Sequence, residues 1–255
     1  MLRLSKLILV LRVLRMNKEP LLEITDLSVV YGRVEATRNV SLKVYPGEFV
    51  SIIGSNGAGK SSTLKAIAGV VRPSKGSIFL EGKSVQGLPS HEMVKKGIVL
   101  VPEGRYVFAD QSVEDNLLLG GYLQERVEVN KSIIEIYELF PRLKERKNQM
   151  AGSLSGGEQQ MLAIARGIVA KPKLLMIDEV SLGLAPIILQ FLFPVLTHLN
   201  KLGLSILLVE QLATEALAIT SRAYVMEGGQ VTISGSSKDL RLDPRVMEAY
   251  LGKKS

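Results

Sequence analysis

The chain has no cysteine and no tryptophan, and its only histidines are His91 and His198. Without cysteine there is no disulfide framework, no thiolate zinc site and no thiol nucleophile; a reducing compartment fits this composition. Two isolated histidines also exclude a multi-histidine metal centre. Long apolar runs are missing too. No stretch reaches the roughly eighteen uninterrupted apolar residues of a membrane-spanning helix, so the chain is not expected to be integral to a bilayer. The nearest approach is residues 1–15, which are apolar and basic with no acid, are interrupted by Arg12, and lead into no small-residue cleavage site. They read as a start-site extension ahead of Met16, with a membrane-surface helix as the alternative. Internal repeats, low-complexity tracts and long linkers are also absent.

Apolar residues make up 46% of the 255 positions, enough for the core of one large α/β domain or two small ones. The net charge of +7 admits affinity for nucleic acid or for an anionic membrane surface and its proteins. The basic residues are scattered, so charge alone does not choose.

One stretch carries chemistry outright. Gly54-Ser-Asn-Gly-Ala-Gly-Lys-Ser61 fills the G-x-x-x-x-G-K-[ST] pattern of a phosphate-binding loop. Before it, residues 48–53 form a β-branched run suited to a buried strand. After it, Leu64, Ile67, Ala68 and Val71 fall on one helical face. Glycines at such a strand-to-helix turn let the backbone approach a polyphosphate without Cβ obstruction. Gly54, Ser55, Asn56, Gly57, Ala58, Gly59, Lys60, Ser61 and Ser62 are therefore the candidate phosphate binders. Lys60 supplies a point charge to the β- and γ-phosphates, and the Ser61 hydroxyl suits Mg²⁺.

The rest of the chain surrounds this loop with strands and helices. Residues 21–29, 40–44, 77–80, 97–101, 174–177 and 205–209 read as strands, and 223–226 with 231–234 as a hairpin around Gly228-Gly229. Tyr31, an aromatic at a strand end, suits either core packing or stacking on adenine. From Ser112 to about Lys147 the texture turns helical: Ser112 is a possible cap, and Ile133, Ile136, Tyr137 and Phe140 form a stripe ended by Pro141. Ser155-Gly156-Gly157 opens another helix, with Met161, Ile164, Ala165 and Ile168 as its buried stripe and a stop at Lys171-Pro172. Such a glycine-rich start is a second anion-binding end, with Ser155 as an extra donor. Asp178-Glu179 ends the next apolar strand, at the ligand-binding edge of a parallel sheet. There Asp178 can bind Mg²⁺ and Glu179 can orient or deprotonate an attacking water. Glu210-Gln211 ends a further strand at the same edge, and residues 237–251 read as a short helical tail.

In this order, Tyr31, the phosphate loop, the loop at Glu103, Leu154-Ser-Gly-Gly-Glu-Gln-Gln160, and Leu-Leu-Met-Ile-Asp-Glu179 with Ser181-Leu-Gly-Leu184 resemble the ATP-binding-cassette (ABC) ATPases. The resemblance runs from about Leu21 to Leu251. Val101-Pro-Glu-Gly-Arg105 with Val107-Phe108, Ser181-Leu-Gly-Leu-Ala-Pro186 and Leu208-Val-Glu-Gln211 look like the ATP subunit of branched-chain (hydrophobic) amino acid uptake systems. The resemblance implies an α/β P-loop NTPase cassette over residues 16–255, with a mainly parallel core sheet, an N-terminal antiparallel β portion and a helical subdomain inserted near residues 104–153. It implies ATP and Mg²⁺ as cofactors, and ATP hydrolysis coupled to transport. Two cassettes would face head to tail, each ATP held between one phosphate loop and the other chain's Ser155, Gly156 and Gly157. The helical subdomain would dock onto two transmembrane permease subunits at the cytoplasmic face of the membrane, and a substrate-binding protein would join indirectly.

The departures from the family pattern bear on catalysis. Glu103 stands where Gln is usual, and it would contact Mg²⁺ or water with an acid instead of an amide. Gln211 stands where a switch His is usual; it can hydrogen-bond a γ-phosphate or water but cannot carry a proton as His can. Both are shared with the branched-chain subfamily, and they favour a heterodimer with an unlike cassette over a homodimer. Val180 replaces the usual Pro after the Asp-Glu pair, and Tyr106 a common Arg. Urea or short amides are close alternatives to branched-chain amino acids. A soluble cassette acting on ribosomes or DNA is the alternative in another class, although no tandem cassette or coiled-coil insertion is present and no nucleic acid partner is expected. A simple P-loop kinase leaves Leu154–Gln160 unexplained.

Overall fold

The computed structural model describes residues 19–250. The expectation for residues 1–15 lies outside them. Two sheets make the frame. The first is antiparallel, in the order β2-β1-β4-β5, from β1 (Leu22–Tyr31), β2 (Val34–Val44), β4 (Lys75–Leu80) and β5 (Lys83–Ser84). The second runs β10-β9-β3-β8-β7-β6, from β3 (Phe49–Ile53), β6 (Ile98–Val101), β7 (Leu174–Asp178), β8 (Ser205–Glu210), β9 (Arg222–Glu227) and β10 (Gln230–Ser236). Its strands pair in parallel except at the β9–β10 edge, the hairpin expected around Gly228-Gly229.

Every residue of β3, β7 and β8 is buried, which is why these strands read as mostly apolar runs without a polar face: both faces are covered. Alternation along them divides the core. Phe49, Ile53, Leu175, Ile177, Ile206 and Leu208 face one hydrophobic cluster, while Val50, Ile52, Leu174, Met176, Leu207 and Val209 face the other. The second cluster takes in the antiparallel sheet and α1 (Lys60–Ile67). The first joins the sheet through α6 (Gly156–Val169) to the helices inserted between β6 and β7. These are α3 (Val113–Gly120), α4 (Arg126–Leu139) and α5 (Pro141–Glu145), while α2 (Ser90–Lys95) precedes β6.

Register decides what the fold brings together. Ile53 lies opposite Glu210, Asp178 opposite Val209, and Val101 opposite Ile177. The residues that follow β3, β6, β7 and β8 therefore emerge along one edge, where parallel α/β sheets bind ligands.

Some expectations need correction. The apolar stripe after the phosphate loop overruns its helix: α1 ends at Ile67, Ala68 caps it, and Val71 lies beyond. Gly69 forces the end, with φ +68 and no room for a Cβ, which would lie 2.3 Å from the Leu88 carbonyl oxygen. Pro141 does more than stop α4; it starts α5 at the position where a missing N–H costs nothing. The sequence pattern assigns no element to α7 (Pro186–Lys201), which runs unbroken through Pro194 with Leu192, Phe193, Leu196 and Leu199 burying its inner face. It assigns none to α8 (Ala213–Ile219) either, and the tail splits into α9 (Ser237–Leu240) and α10 (Pro244–Tyr250).

Candidate functional site

The phosphate loop lies where β3 ends. Gly57 and Gly59 hold φ of +80 and +96, a left-handed region that other residues enter at a cost. A Cβ on Gly54 would lie 2.3 Å from the Met226 carbonyl oxygen, and one on Gly59 would lie 2.5 Å from that of Ala36. The loop is thus built in part by its packing on β2 and β9. Gly59 caps α1 without a side-chain hydrogen bond, and the first turn carries no acid. The leading N–H groups of α1 accordingly offer donors and partial positive charge to an anion.

A cleft of about 670 Å³ opens over this helix start, lined by Asn56 to Ser62, Tyr31, Glu35, Glu103, Glu179 and Gly228 among others. Tyr31 is exposed and faces the cleft, not the core. Gly54 and Ser55 take part through their carbonyls, which accept from Lys60 Nζ at 3.0 and 3.1 Å. The same ammonium lies 3.2 Å from Glu179 Oε1, and Lys60 is only 3% exposed. A γ-phosphate oxygen competing for Lys60 would loosen its hold on the Glu179 carboxylate.

Beside it, the Ser61 hydroxyl donates to Asp178 Oδ1 at 3.0 Å. Asp178 is buried, and its Oδ2 has no hydrogen-bond partner. Burial raises its carboxyl to about 6; the Ser61 bond opposes this, while the charges of Glu179 and Glu103 add to it. Among the described residues no cluster of three acidic or histidine side chains could hold a metal alone. The pair of Ser61 and Asp178 nevertheless suits Mg²⁺, which takes one or two protein oxygens and completes its shell with water and phosphate. An unpartnered carboxylate oxygen among repelling acids is what such an ion would satisfy.

Gln211, exposed beyond β8, and the Ser155–Gly157 helix start of the same chain lie outside this cleft, the latter expected to serve the ATP of a second cassette. Ser155 caps α6 reciprocally with Glu158, its hydroxyl 2.7 Å from Glu158 Oε2, which also accepts the Ser155 N–H at 2.9 Å. Arg146 from the helical insert reaches the same carboxylate at 2.6 Å.

Sequence reasoning misses residues that shape the loop after β6. Buried Asn116 accepts from the Phe108 N–H and donates to the Phe108 and Ser112 carbonyls. Arg166 donates to the Tyr106 carbonyl at 2.7 Å and stacks over the Phe108 ring. Arg105, at φ +71, lays its guanidinium against Gly156, where a Cβ would meet Nη1 at 2.8 Å. An asparagine in a helix pattern signals none of this, because its partners are set by the loop that packs on it.

Residues 37–181 match the family model described as ABC transporter. The high-affinity branched-chain amino acid transport ATP-binding protein BraG of Pseudomonas aeruginosa is 46% identical over 232 residues, covering 91% of this chain and 100% of that protein. The lipopolysaccharide export system ATP-binding protein LptB of Acidithiobacillus ferridurans is 34% identical, over 91% of this chain and 97% of that one. A crystal structure of the ADP conformation of an ATP-binding cassette of an ABC transporter superposes with a TM-score of 0.82 at 27% identity, over 92% of this chain and 100% of that one. A phosphate loop seated on a parallel sheet edge beside Asp178-Glu179, within a likeness that spans nearly the whole chain, makes this protein a member of the ABC transporter family and an ATPase that binds ATP.

Proposed function

We propose that the chain is the nucleotide-binding subunit of an ABC importer, with branched-chain amino acids as the cargo. The observation that carries this is its 46% identity with BraG over the whole of that protein. In this reading the N–H groups of residues 57–62 and the Lys60 ammonium bind the β- and γ-phosphates, and Tyr31 stacks on adenine. Ser61 and Asp178 hold Mg²⁺, with Glu103 close by. Bound there, Mg²⁺ would neutralise phosphate charge as the β–γ bond breaks. Glu179 takes a proton from the water that attacks the γ-phosphorus, leaving ADP and phosphate. Gln211 would reach the γ-phosphate or this water on closure, through its amide.

Because Ser155, Gly156 and Gly157 lie outside the cleft of their own chain, they are assigned to the ATP of a second cassette. ATP then favours the closed pair because both surfaces touch its γ-phosphate, and ADP releases it. Glu103 and Gln211 favour an unlike cassette as the partner. Two transmembrane permease subunits would dock on the helical insert, where Tyr106, Phe108, Leu119 and Tyr122 expose apolar surface. No helix among the described residues is long and apolar enough to cross a membrane. Docked on the permease subunits, the chain would sit peripherally at the cytoplasmic face, with a substrate-binding protein on the far side.

The test is Glu179→Gln protein purified with ATP from gently solubilised cells. Turnover is expected to fall by about 100-fold or more, and two multi-span proteins with a second cassette should co-purify. Ribosomal proteins or nucleic acid without membrane subunits would overturn the importer reading. A lipopolysaccharide export complex would redirect the cargo, and wild-type turnover would remove Glu179 from its role.

A further inference from the structure

The geometry points to Glu210 as a positioning residue for ATP hydrolysis: its two carboxyl oxygens clamp Ser181 and thereby hold the turn that aims Glu179. This rests on the reading of Glu179 as the base.

Glu179 has a φ of +49, in the left-handed region. A non-glycine residue stays there only where its surroundings over-determine the conformation. Two ties are visible. On the upstream side the Glu179 N–H continues the parallel ladder, donating to the Val209 carbonyl at 2.9 Å. On the downstream side the Leu182 N–H reaches the Glu179 carbonyl only at 3.4 Å, which is weak. The firm downstream tie is Glu210. Its Oε1 accepts the Ser181 N–H at 3.0 Å and its Oε2 accepts the Ser181 hydroxyl at 2.5 Å.

The chemistry of Glu210 makes the tie specific. It is fully buried, and no ion pair to it is found among the described residues. An acid placed so is costly, and glutamine would cost less to bury. Glutamine, however, has one acceptor oxygen, whereas the carboxyl group presents two to the two donors of Ser181. The preceding residue adds no covalent lock. Val180 is buried in the core and anchored by packing alone, whereas a proline there would fix φ through its ring. With Val180, the path of the chain after Glu179 depends on the grip of Glu210 on Ser181. Glu210 ends β8 next to Val209, so one strand end fixes both sides of the strained residue.

The test is steady-state ATP turnover by the full chain with Mg²⁺, normalised to ATP-binding sites so that any unfolded fraction drops out. Glu210→Ala is expected to lower kcat between about 10- and 100-fold with KM for ATP within about twofold, and Ser181→Ala to lower it less. Glu210→Gln keeps one acceptor and should recover part of the loss. The Ser181→Ala/Glu210→Ala double variant should be no slower than Glu210→Ala, since the hydroxyl bond that Ser181→Ala removes is already lost with the Glu210 carboxylate. Placed in the Glu179→Gln background, Glu210→Ala should add no further loss, which a merely destabilising change would not reproduce. Wild-type kcat in Glu210→Ala and Ser181→Ala, or an undiminished further loss in the Glu179→Gln background, overturns the proposal. Wild-type turnover by Glu179→Gln itself would instead overturn the base reading.

Discussion

The chain builds two glycine-rich helix starts, and the fold treats them in opposite ways. At α1 the cap is Gly59 at φ +96, with no side-chain bond and no acid in the first turn, so an anion has to come from outside. At α6 the cap is Ser155, locked with Glu158, so the helix carries its own carboxylate. The glycines differ in purpose as well. Gly59 serves a backbone conformation and a close approach to β2, whereas Gly156 and Gly157 make room for Arg105 and Ile188. The first start suits strong phosphate binding within one chain. The second, already part-neutralised, suits a weaker face that closes over a phosphate held elsewhere.

The sharpest way to break this comparison is Lys60→Ala, which removes the buried cation at the α1 start and its ion pair with Glu179. ATP affinity of the chain should fall about 100-fold or more by titration calorimetry; unchanged affinity would show that the helix start alone suffices. A smaller effect follows from pH. Burial holds the Asp178 carboxyl near 6, so the folded chain keeps a proton there that the unfolded chain releases at lower pH. The stability contributed by this group is therefore present below the unfolded value, near 4, and is lost as pH rises toward about 6. Mg²⁺ has to displace the same proton, so the Mg²⁺-dependent part of ATP affinity should weaken by up to about tenfold per unit as pH falls below 6. Asp178→Asn should flatten that slope to the part set by the terminal phosphate of ATP, which titrates in the same range, and an unaltered slope would place the metal elsewhere. The smallest effect belongs to α6. Ser155→Ala should cost about 1 kcal/mol of stability, a shift of roughly 2–4 °C in thermal midpoint, and leave ATP affinity of the single chain unchanged. It should still reduce the closed pair trapped by Glu179→Gln with ATP, as read by light scattering. A loss of single-chain affinity would erase the distinction between the two starts.

Much of the site is legible in the amino-acid sequence because its parts are local. A phosphate loop is a contiguous turn between a strand and a helix, and Asp178-Glu179 follows a strand whose apolar run is unmistakable. Tyr31 is ambiguous in sequence because an aromatic at a strand end looks the same whether it faces a core or a cleft; only the packing of β1 and β2 beside the loop turns it outward. α7 escapes because Pro194 interrupts its pattern, and tertiary packing overrides the local penalty. Glu210 falls at the correct edge from its strand alone, but its grip on Ser181 is invisible there, since the two are distant in sequence.

The order of motifs, the strand-loop-helix at residues 49–67 and the acids that end β7 are written in the residues themselves, because periodicity, glycine spacing and strand-end carboxylates act within a few positions of the chain. The tertiary structure alone decided which of these meet. Parallel register set Ile53 against Glu210 and Asp178 against Val209, and so gathered Lys60, Asp178, Glu179 and Ser181 at one edge while leaving Ser155 to face outward. Contacts between segments so far apart depend on strand order and sheet register, which only the packing of the whole core selects.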